Sequence, residues 1–147
     1  MVMQTNPGLI AYIRMQNPEP TFQRFMVSFD AQKDEFMARC RPFVCLDGCH
    51  LNRPYKGVLL FAVTLDANNA LYPLAVCICE VENYSSWRWF LGHLMKYLNY
   101  PNDKPITFIS DLQKGSAEDH YCLLAECFNQ VIIYLFFYSI LFYIVFG

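Results

Sequence analysis

Two aspartates, Asp47 and Asp111, are the residues of this sequence best placed for chemistry. Each follows a short apolar run, residues 43–46 and residues 106–110 respectively. Such runs predict buried strands with a carboxylate at the exit, and the strand ends of an α/β sheet are where ligands collect. If the two strands are neighbours, the carboxylates converge, and two hard oxygen ligands suit Mg²⁺ or Mn²⁺. Paired ions could then activate water or a 3′-hydroxyl for phosphodiester transfer.

The same two aspartates also have a purely structural interpretation, as turn residues. Asp47 precedes Gly48, which is a common turn pair, and Asp30 and Asp66 also follow apolar runs without any claim to chemistry. From the pattern alone, therefore, both the metal site and the turn stay open.

The cysteines offer a second possible metal site. Cys45, Cys49 and His50 have a Cys-x3-Cys-His spacing, but the second ligand pair of a usual zinc site is absent. Cys77 and Cys79 alternate within one apolar run, and His120 stands near Cys122. We expect buried thiols rather than zinc ligands, since cysteine is common in cores.

Nucleic acid could be contacted by basic and aromatic side chains. Trp87 belongs to an apolar helical stripe and is expected in the core, whereas Trp89 lies off that stripe and could stack on bases. Lys114 is the best candidate among the cations because it is close to Asp111, and Lys56 comes next. Four scattered cations could touch phosphates, although such charges more often form a solvated surface: Arg53, Lys56, Arg88 and Lys114.

The bulk composition limits the setting of these residues. The chain has 147 residues, enough for one domain, and its formal net charge of −2 gives no global basic signature of nucleic-acid binding. The seven cysteines are odd in number and no basic, apolar leader precedes them, so a reducing compartment is expected.

Alternation and helical spacing predict the elements that must position Asp47 and Asp111. Residues 1–24 are polar and broken by prolines, with one extended segment at residues 9–14; a strand at 25–29 and a helix at 31–39 follow. Apolar runs then predict three strands forming an antiparallel meander, a helix, a fourth strand and another helix. Their bounds are 43–46, 57–65 and 72–81 for the meander, a helix capped by Ser85 or Ser86 with an apolar face at Trp87, Phe90, Leu91, Leu94 and Leu98, a strand at 106–110, and a helix opening at Gly115.

Several motifs within these elements resemble those of plant Mutator-like element (MULE) transposases. The motifs occur in order: CRPF, LDGCHL and YKG within residues 40–57, the strand and turn of residues 57–69, YPLA to SWRWF within residues 72–90, and ITFISD with QKG within residues 106–115. The resemblance covers roughly residues 22–130. It implies an α/β, partial ribonuclease-H-like fold, here a three-stranded antiparallel meander, helix, strand and helix.

The resemblance also implies a function, that of a DDE-type nuclease and strand-transfer enzyme of DNA transposition. It makes Asp47 and Asp111 the first two acids of the triad, with Mg²⁺ or Mn²⁺ as cofactor, transposon-end DNA as partner and the nucleus as location. The same domain occurs in domesticated transcription regulators, which leaves a non-catalytic DNA- or protein-binding module as the alternative.

Two departures from the family pattern bear on activity. The segment after Gly115 is shorter than in the family, and the third acid, expected far downstream, is absent. Glu118 and Glu126 are too close to Asp111 in sequence to replace it. We therefore expect a truncated domain at residues 25–130, behind a lead-in at 1–24, that is inactive alone because catalysis by positioning tolerates little displacement.

Residues 131–147 form the third predicted segment, an apolar tail. Residues 131–146 carry no charge and as a helix would span about 24 Å, which is borderline for a membrane span. We expect an apolar C-terminal helix. Three interpretations of this tail stay open: a membrane anchor, a core element of a misread fold, or translated non-coding sequence. A small membrane-anchored protein is accordingly the remaining alternative, and the oligomeric state is not determined by the sequence.

Overall fold

Seven strands form one mixed sheet, and two helices pack on it, in the part of the chain that the computed structural model describes. That part comprises residues 8–52, 56–101, 104–111 and 131–136, with the backbone alone for residues 111 and 131–136. The sheet order is β1-β2-β5-β4-β3-β6-β7. The elements are β1 (Leu9–Gln16), β2 (Thr21–Phe29), α1 (Asp30–Arg39), β3 (Phe43–His50), β4 (Val58–Leu65), β5 (Leu71–Cys79), α2 (Tyr84–Leu98), β6 (Ile106–Asp111) and β7 (Val131–Phe136).

The predicted α/β class and the antiparallel meander are confirmed. β3 pairs antiparallel with β4, and β4 pairs antiparallel with β5. β6 then joins the other side of β3 in parallel, and β7 extends the sheet in parallel beyond β6. Helix α2 makes the crossover from β5 to β6, so the strands that carry Asp47 and Asp111 are brought side by side by this connection.

The core lies on one face of the sheet, under the two helices. Alternate residues of β3 and β4, such as Val44, Leu46 and Leu60, are buried there because successive strand residues point to opposite faces. The predicted apolar face of α2 is confirmed. Its five members are all buried in this core, each contributing on the order of 1.5–3 kcal/mol: Trp87, Phe90, Leu91, Leu94 and Leu98.

Helix α2 is capped by a residue other than the predicted serines. The side chain of Asn83 accepts a hydrogen bond from the backbone N–H of Ser86 at 2.9 Å, so the prediction of Ser85 or Ser86 was wrong. Asparagine and serine are equally good caps, and the helix begins one turn earlier than the apolar stripe indicated. The helix ends at Leu98, and the C-cap Asn99 has a left-handed backbone whose N–H donates to the carbonyl oxygen of Met95.

Half of the expected lead-in, residues 9–16 and 21–24, belongs to the sheet. β1 and β2 pair antiparallel, and β2 pairs with β5 through residues 24–27. The extended segment predicted at residues 9–14 is thus a longer edge strand. Its side chains are half-buried or exposed along its whole length, and this explains why the pattern was weak.

The expected apolar helix at the C-terminal end was wrong for residues 131–136. These residues form β7, which pairs in parallel with β6 from Ile106 to Asp111. A strand inside a parallel arrangement is a continuous apolar run, which periodicity cannot distinguish from a buried helix. Among the described residues no helix is long and apolar enough to cross a membrane. Residues 137–147 and the helix predicted from Gly115 lie outside the described residues.

Candidate functional site

Asp47 and Asp111 occupy corresponding positions on two neighbouring parallel strands. The register of β3 and β6 places Leu46 opposite Ser110. One residue further along both strands are Asp47 and Asp111, with the backbones about 4.8 Å apart, the usual spacing of paired strands. The condition for convergence, that these two strands be neighbours, is therefore met. The role of the pair in metal binding stays a prediction.

Asp47 lies within a strand rather than in a turn. β3 continues past it to His50, which pairs with Val58 of β4, so the turn interpretation of the Asp47-Gly48 pair was wrong. Asp47 is half-buried, and its Oδ1 accepts a hydrogen bond from the N–H of Gly48 at 2.7 Å. This bond orients the carboxylate at the end of the sheet.

Asp66 provides the contrast that defines a turn aspartate in this chain. Its Oδ1 accepts hydrogen bonds from the backbone N–H groups of Asn68 and Ala70, both at 2.8 Å. The carboxylate therefore closes the turn between β4 and β5, in the manner of an Asx-turn. Asp66 is a structural residue. Of the two aspartates, only Asp47 lies on the strand that pairs with β6.

Cys45 reports the charge of Asp47. The two residues alternate along β3 and so share a face of the sheet. Burial raises the pKa of the Cys45 thiol, and the negative charge of Asp47 raises it further, to about 11. Cys45 therefore stays a protonated thiol at neutral pH.

The other face of β3 is contacted by Glu82, which the sequence did not single out. A Cβ at Gly48 would lie 3.1 Å from Glu82 Oε1 and 3.0 Å from Leu60 Cδ2, so glycine leaves room for this carboxylate. Because Gly48 and Asp47 point to opposite faces, Glu82 approaches the same strand end from the helix side. No signal in the sequence marked Glu82, since its position depends on how β5 leads into α2.

The cysteines do not assemble into a zinc site in the described part of the chain. Cys45 and Cys49 are four residues apart on one strand, about 13 Å, which is too far to share an ion. Cys77 and Cys79 are buried thiols, as expected. Among the described side chains, which exclude that of Asp111, no three His, Cys, Asp or Glu residues form a group that could hold a metal. His120 and Cys122 lie outside the described residues.

Two of the predicted phosphate contacts fall on described residues. Lys56 is exposed, directly before Gly57 in the connection from β3 to β4. Arg88 is exposed on α2, while Arg53 and Lys114 lie outside the described residues. Trp87 is buried in the core as predicted, and Trp89 is half-buried beside β1.

Arg88 and Trp89 belong to a cavity that the sequence did not reveal. This cavity, of about 290 Å³, lies between β1 and α2, and we call it the α2 groove. Arg14 comes from β1, far from the others in the chain, which is why spacing could not identify it. The groove is lined by Arg14, Ser85, Arg88, Trp89, Gly92, His93 and Lys96.

Comparison with known proteins gives one finding for this chain. A family model of the MULE transposase domain matches residues 43–120, which is more than half of the 147 residues. The match begins at β3 and includes both Asp47 and Asp111. No curated protein and no solved structure gives a significant match.

Proposed function

This chain belongs to the MULE transposase domain family, and from that premise we propose that it carries part of a DDE-type catalytic centre for DNA transposition. Asp47 and Asp111 are two acids of that centre and together bind Mg²⁺ or Mn²⁺. The observation that carries the proposal is the register of β3 and β6, since it aligns the two aspartates on adjacent strands. Transposon-end DNA is the partner and the nucleus the location that go with this function.

The sheet topology supports a ribonuclease-H-like assignment. An antiparallel meander, β3-β4-β5, is extended in parallel by β6 and β7, and α2 crosses from β5 to β6. This is the order of elements that the family resemblance implies. The β1–β2 hairpin is then an addition at the β5 edge of that sheet.

The donor set fits a hard divalent cation. Carboxylate oxygens are the ligands that Mg²⁺ and Mn²⁺ prefer, and the bond from the Gly48 N–H orients the Asp47 carboxylate as ligand carboxylates usually require. When bound, the ion would polarise a phosphodiester and lower the pKa of an attacking water. The residues themselves supply negative charge and position, and half-burial of Asp47 leaves the site accessible to a hydrated ion.

A polypeptide of these 147 residues is proposed to bind the ion but to cleave DNA only at background rate. A complete triad fixes a pair of ions, and Asp47 with Asp111 supplies two carboxylates. Glu82 reaches β3 from the opposite face, so it does not complete the set. Because phosphoryl transfer depends on positioning within about 1 Å, an incomplete set loses most of the rate.

The test is Mn²⁺ binding followed by electron paramagnetic resonance, in which bound ion loses the free-ion signal. Wild-type protein should bind one ion weakly, and Asp47→Asn and Asp111→Asn should each abolish that binding. Asp34→Asn, on the exposed face of α1, removes the same charge elsewhere and should leave binding unchanged. Equal Mn²⁺ binding by all three variants would overturn the proposed metal site. Metal-dependent nicking of plasmid DNA well above background would overturn the proposal that the polypeptide is inactive.

A non-catalytic DNA-binding module is the second candidate function. The α2 groove favours it, because its cations lie outside the acid pair and do not require a complete triad. DNA binding that persists without divalent metal and without cleavage would identify this function.

A further inference from the structure

We propose that the α2 groove binds the phosphate backbone of DNA, at a surface separate from the acid pair. The choice of DNA as the polymer rests on the proposed function, whereas the anionic character of the ligand rests on the groove itself.

The groove collects positive charge in a chain whose net charge is −2. Arg14, Arg88 and Lys96 are exposed cations in its lining, and the 15 residues of α2 include no acid. The described ion pairs of the chain involve neither Arg14 nor Lys96. A row of cations with exposed heads is the arrangement that contacts successive phosphates.

The carboxylate of Glu80 does not cancel this charge. Arg24 binds Glu80 at 2.6 Å and also donates to the backbone oxygen of Ser85, at the mouth of the groove. Glu80 is therefore matched by a cation that is itself outside the groove lining. Arg14 and Lys96 therefore keep their charge for a ligand.

The aromatic side chains at the groove pack against one another. The rings of Trp89 and His93 have centroids 4.4 Å apart, and Tyr12 meets His93 edge-on at 4.2 Å. A hydrogen bond of 2.8 Å between His93 Nδ1 and the Trp89 carbonyl oxygen fixes the imidazole. Because these side chains are already packed, a bound backbone costs little further side-chain entropy.

The dimensions of the groove fit a polymer better than a single phosphate. From Arg88 to Lys96 the helix rises about 12 Å. Phosphates of one DNA strand follow each other at about 3.4 Å along the duplex axis, so several lie within that length. A lone phosphate could engage one end of the groove only.

The groove begins at the end of the sheet where Asp47 lies. β5 runs in the same direction as β3, because both pair antiparallel with β4, and α2 starts directly beyond the end of β5. The proximity of Glu82 to Gly48 confirms that the start of α2 lies against this end of β3. A backbone held along α2 from Arg88 would thus start at the same end of the sheet as Asp47, on the opposite face and near the β1 edge.

The experiment measures binding of a short fluorescent DNA duplex in EDTA over a series of KCl concentrations. The test variant is Arg14→Gln with Lys96→Gln. The matched control is Lys33→Gln with Lys104→Gln, which removes the same charge from a second cavity of about 540 Å³ near the end of α2. Loss of two phosphate contacts should lower the slope of log K against log salt by about 1.8, at about 0.9 per contact, and the control should keep the wild-type slope.

Intrinsic fluorescence gives an independent readout of the same groove. The chain has two tryptophans, and Trp87 is buried in the core. DNA should therefore quench Trp89, and Trp89→Phe should remove the quenching. Equal salt slopes for the two double variants, or unchanged quenching in Trp89→Phe, would overturn the proposal that the groove binds DNA. If inorganic phosphate displaces the duplex at matched ionic strength, the ligand of the groove is a small anion and not a polymer. If an RNA duplex binds more tightly than the DNA duplex, the ligand is RNA and not DNA.

The groove and the acid pair fail separately in these measurements. Arg14→Gln with Lys96→Gln should keep the wild-type Mn²⁺ binding, because neither residue belongs to the acid pair. If the wild-type protein does not bind Mn²⁺ but the two double variants differ in salt slope, the acid pair alone is rejected. Intact Mn²⁺ binding with equal salt slopes would reject the groove alone.

Discussion

The guanidinium of Arg24 binds the carboxylate of Glu80 through two of its nitrogens, Nε at 3.1 Å and Nη2 at 2.6 Å. Arg24 is only 2% exposed, and its Nη1 donates to the carbonyl oxygen of Ser85 at 2.7 Å. The ion pair therefore joins β2, the end of β5 and the first turn of α2. Both the groove and the contact between Glu82 and β3 depend on where that first turn lies.

Replacing Arg24 should destabilise the protein considerably. Arg24→Met keeps most of the volume but leaves the Glu80 carboxylate and the Ser85 carbonyl without these donors. We expect a loss of about 2–3 kcal/mol in the free energy of unfolding, below the full value for a buried pair because Glu80 is 35% exposed. Urea unfolding measures this value.

The exposed pair of Arg39 and Glu35 is the control for Arg24. These groups are 3.7 Å apart on α1, and the Arg39 side chain is 73% exposed. Arg39→Met should cost less than about 0.5 kcal/mol, since solvent screens such pairs. Equal losses for the two variants would mean that the buried pair adds no stability beyond that of a surface contact.

Stability should fall in acid as the Glu80 carboxylate becomes protonated. Burial alone raises the pKa of Glu80, but hydrogen bonds from Arg24, a backbone N–H and Gln23, with the charge of Arg24, outweigh it and hold the pKa below its usual value. A depressed folded pKa contributes stability above the unfolded pKa of about 4.5, and this contribution is lost as pH falls through the folded pKa.

Glu80→Gln identifies the group responsible for that pH dependence. The variant should be less stable than wild type near neutral pH, and the difference should shrink as the pH falls below about 4.5. Urea unfolding at a series of pH values measures both curves. A difference that stays constant through this range would assign the acid sensitivity to other carboxylates.

The sequence predicted the central elements because their patterns are strong. β3, β4 and β6 are apolar runs bounded by turn residues, and α2 has an apolar stripe at helical spacing. Because these side chains are buried, their residue types show the pattern directly. The sequence made the convergence of Asp47 and Asp111 conditional on β3 and β6 being neighbours, and the pairing of these strands meets that condition. Their register is a property of the sheet that no local pattern contains.

The remainder depended on tertiary contacts. β1 has half-exposed side chains and is held by pairing with β2, so its pattern alone indicated only an extended segment. β7 has an apolar run that suits a strand or a helix equally, and pairing with β6 decides between them. The α2 groove needs Arg14 of β1 beside Lys96 of α2, and only the order of strands in the sheet brings these residues together.

Replacing Gly57 and Gly92 by alanine should change the free energy of unfolding in opposite directions. Gly57 has a φ of +147°, and a Cβ there would lie 2.7 Å from the carbonyl oxygen of Cys79, which is backbone and cannot move away easily. Gly57→Ala should cost at least about 2 kcal/mol from strain and this clash. Gly92 lies in α2 with open space around its Cβ position, so Gly92→Ala should gain about 0.5–1 kcal/mol from helix propensity. Thermal unfolding of both variants checks the signs, and a shift in the same direction would contradict the backbone assignment.

Thiol chemistry should distinguish the two cysteines that flank Asp47. Cys45 is buried, and burial with the charge of Asp47 raises its pKa to about 11, whereas Cys49 is exposed on the same strand. At about pH 8 the thiolate fraction of Cys45 should be roughly 100-fold below that of a cysteine with the ordinary value of 9.0, and burial slows it further. Alkylation by iodoacetamide, followed by peptide mass spectrometry, should therefore modify Cys49 long before Cys45. Asp47→Asn removes one of the two causes and should speed the reaction of Cys45 without exposing it. An unchanged rate in that variant would mean that the Asp47 carboxylate does not act on this face of β3, where the acid pair is proposed to hold its metal.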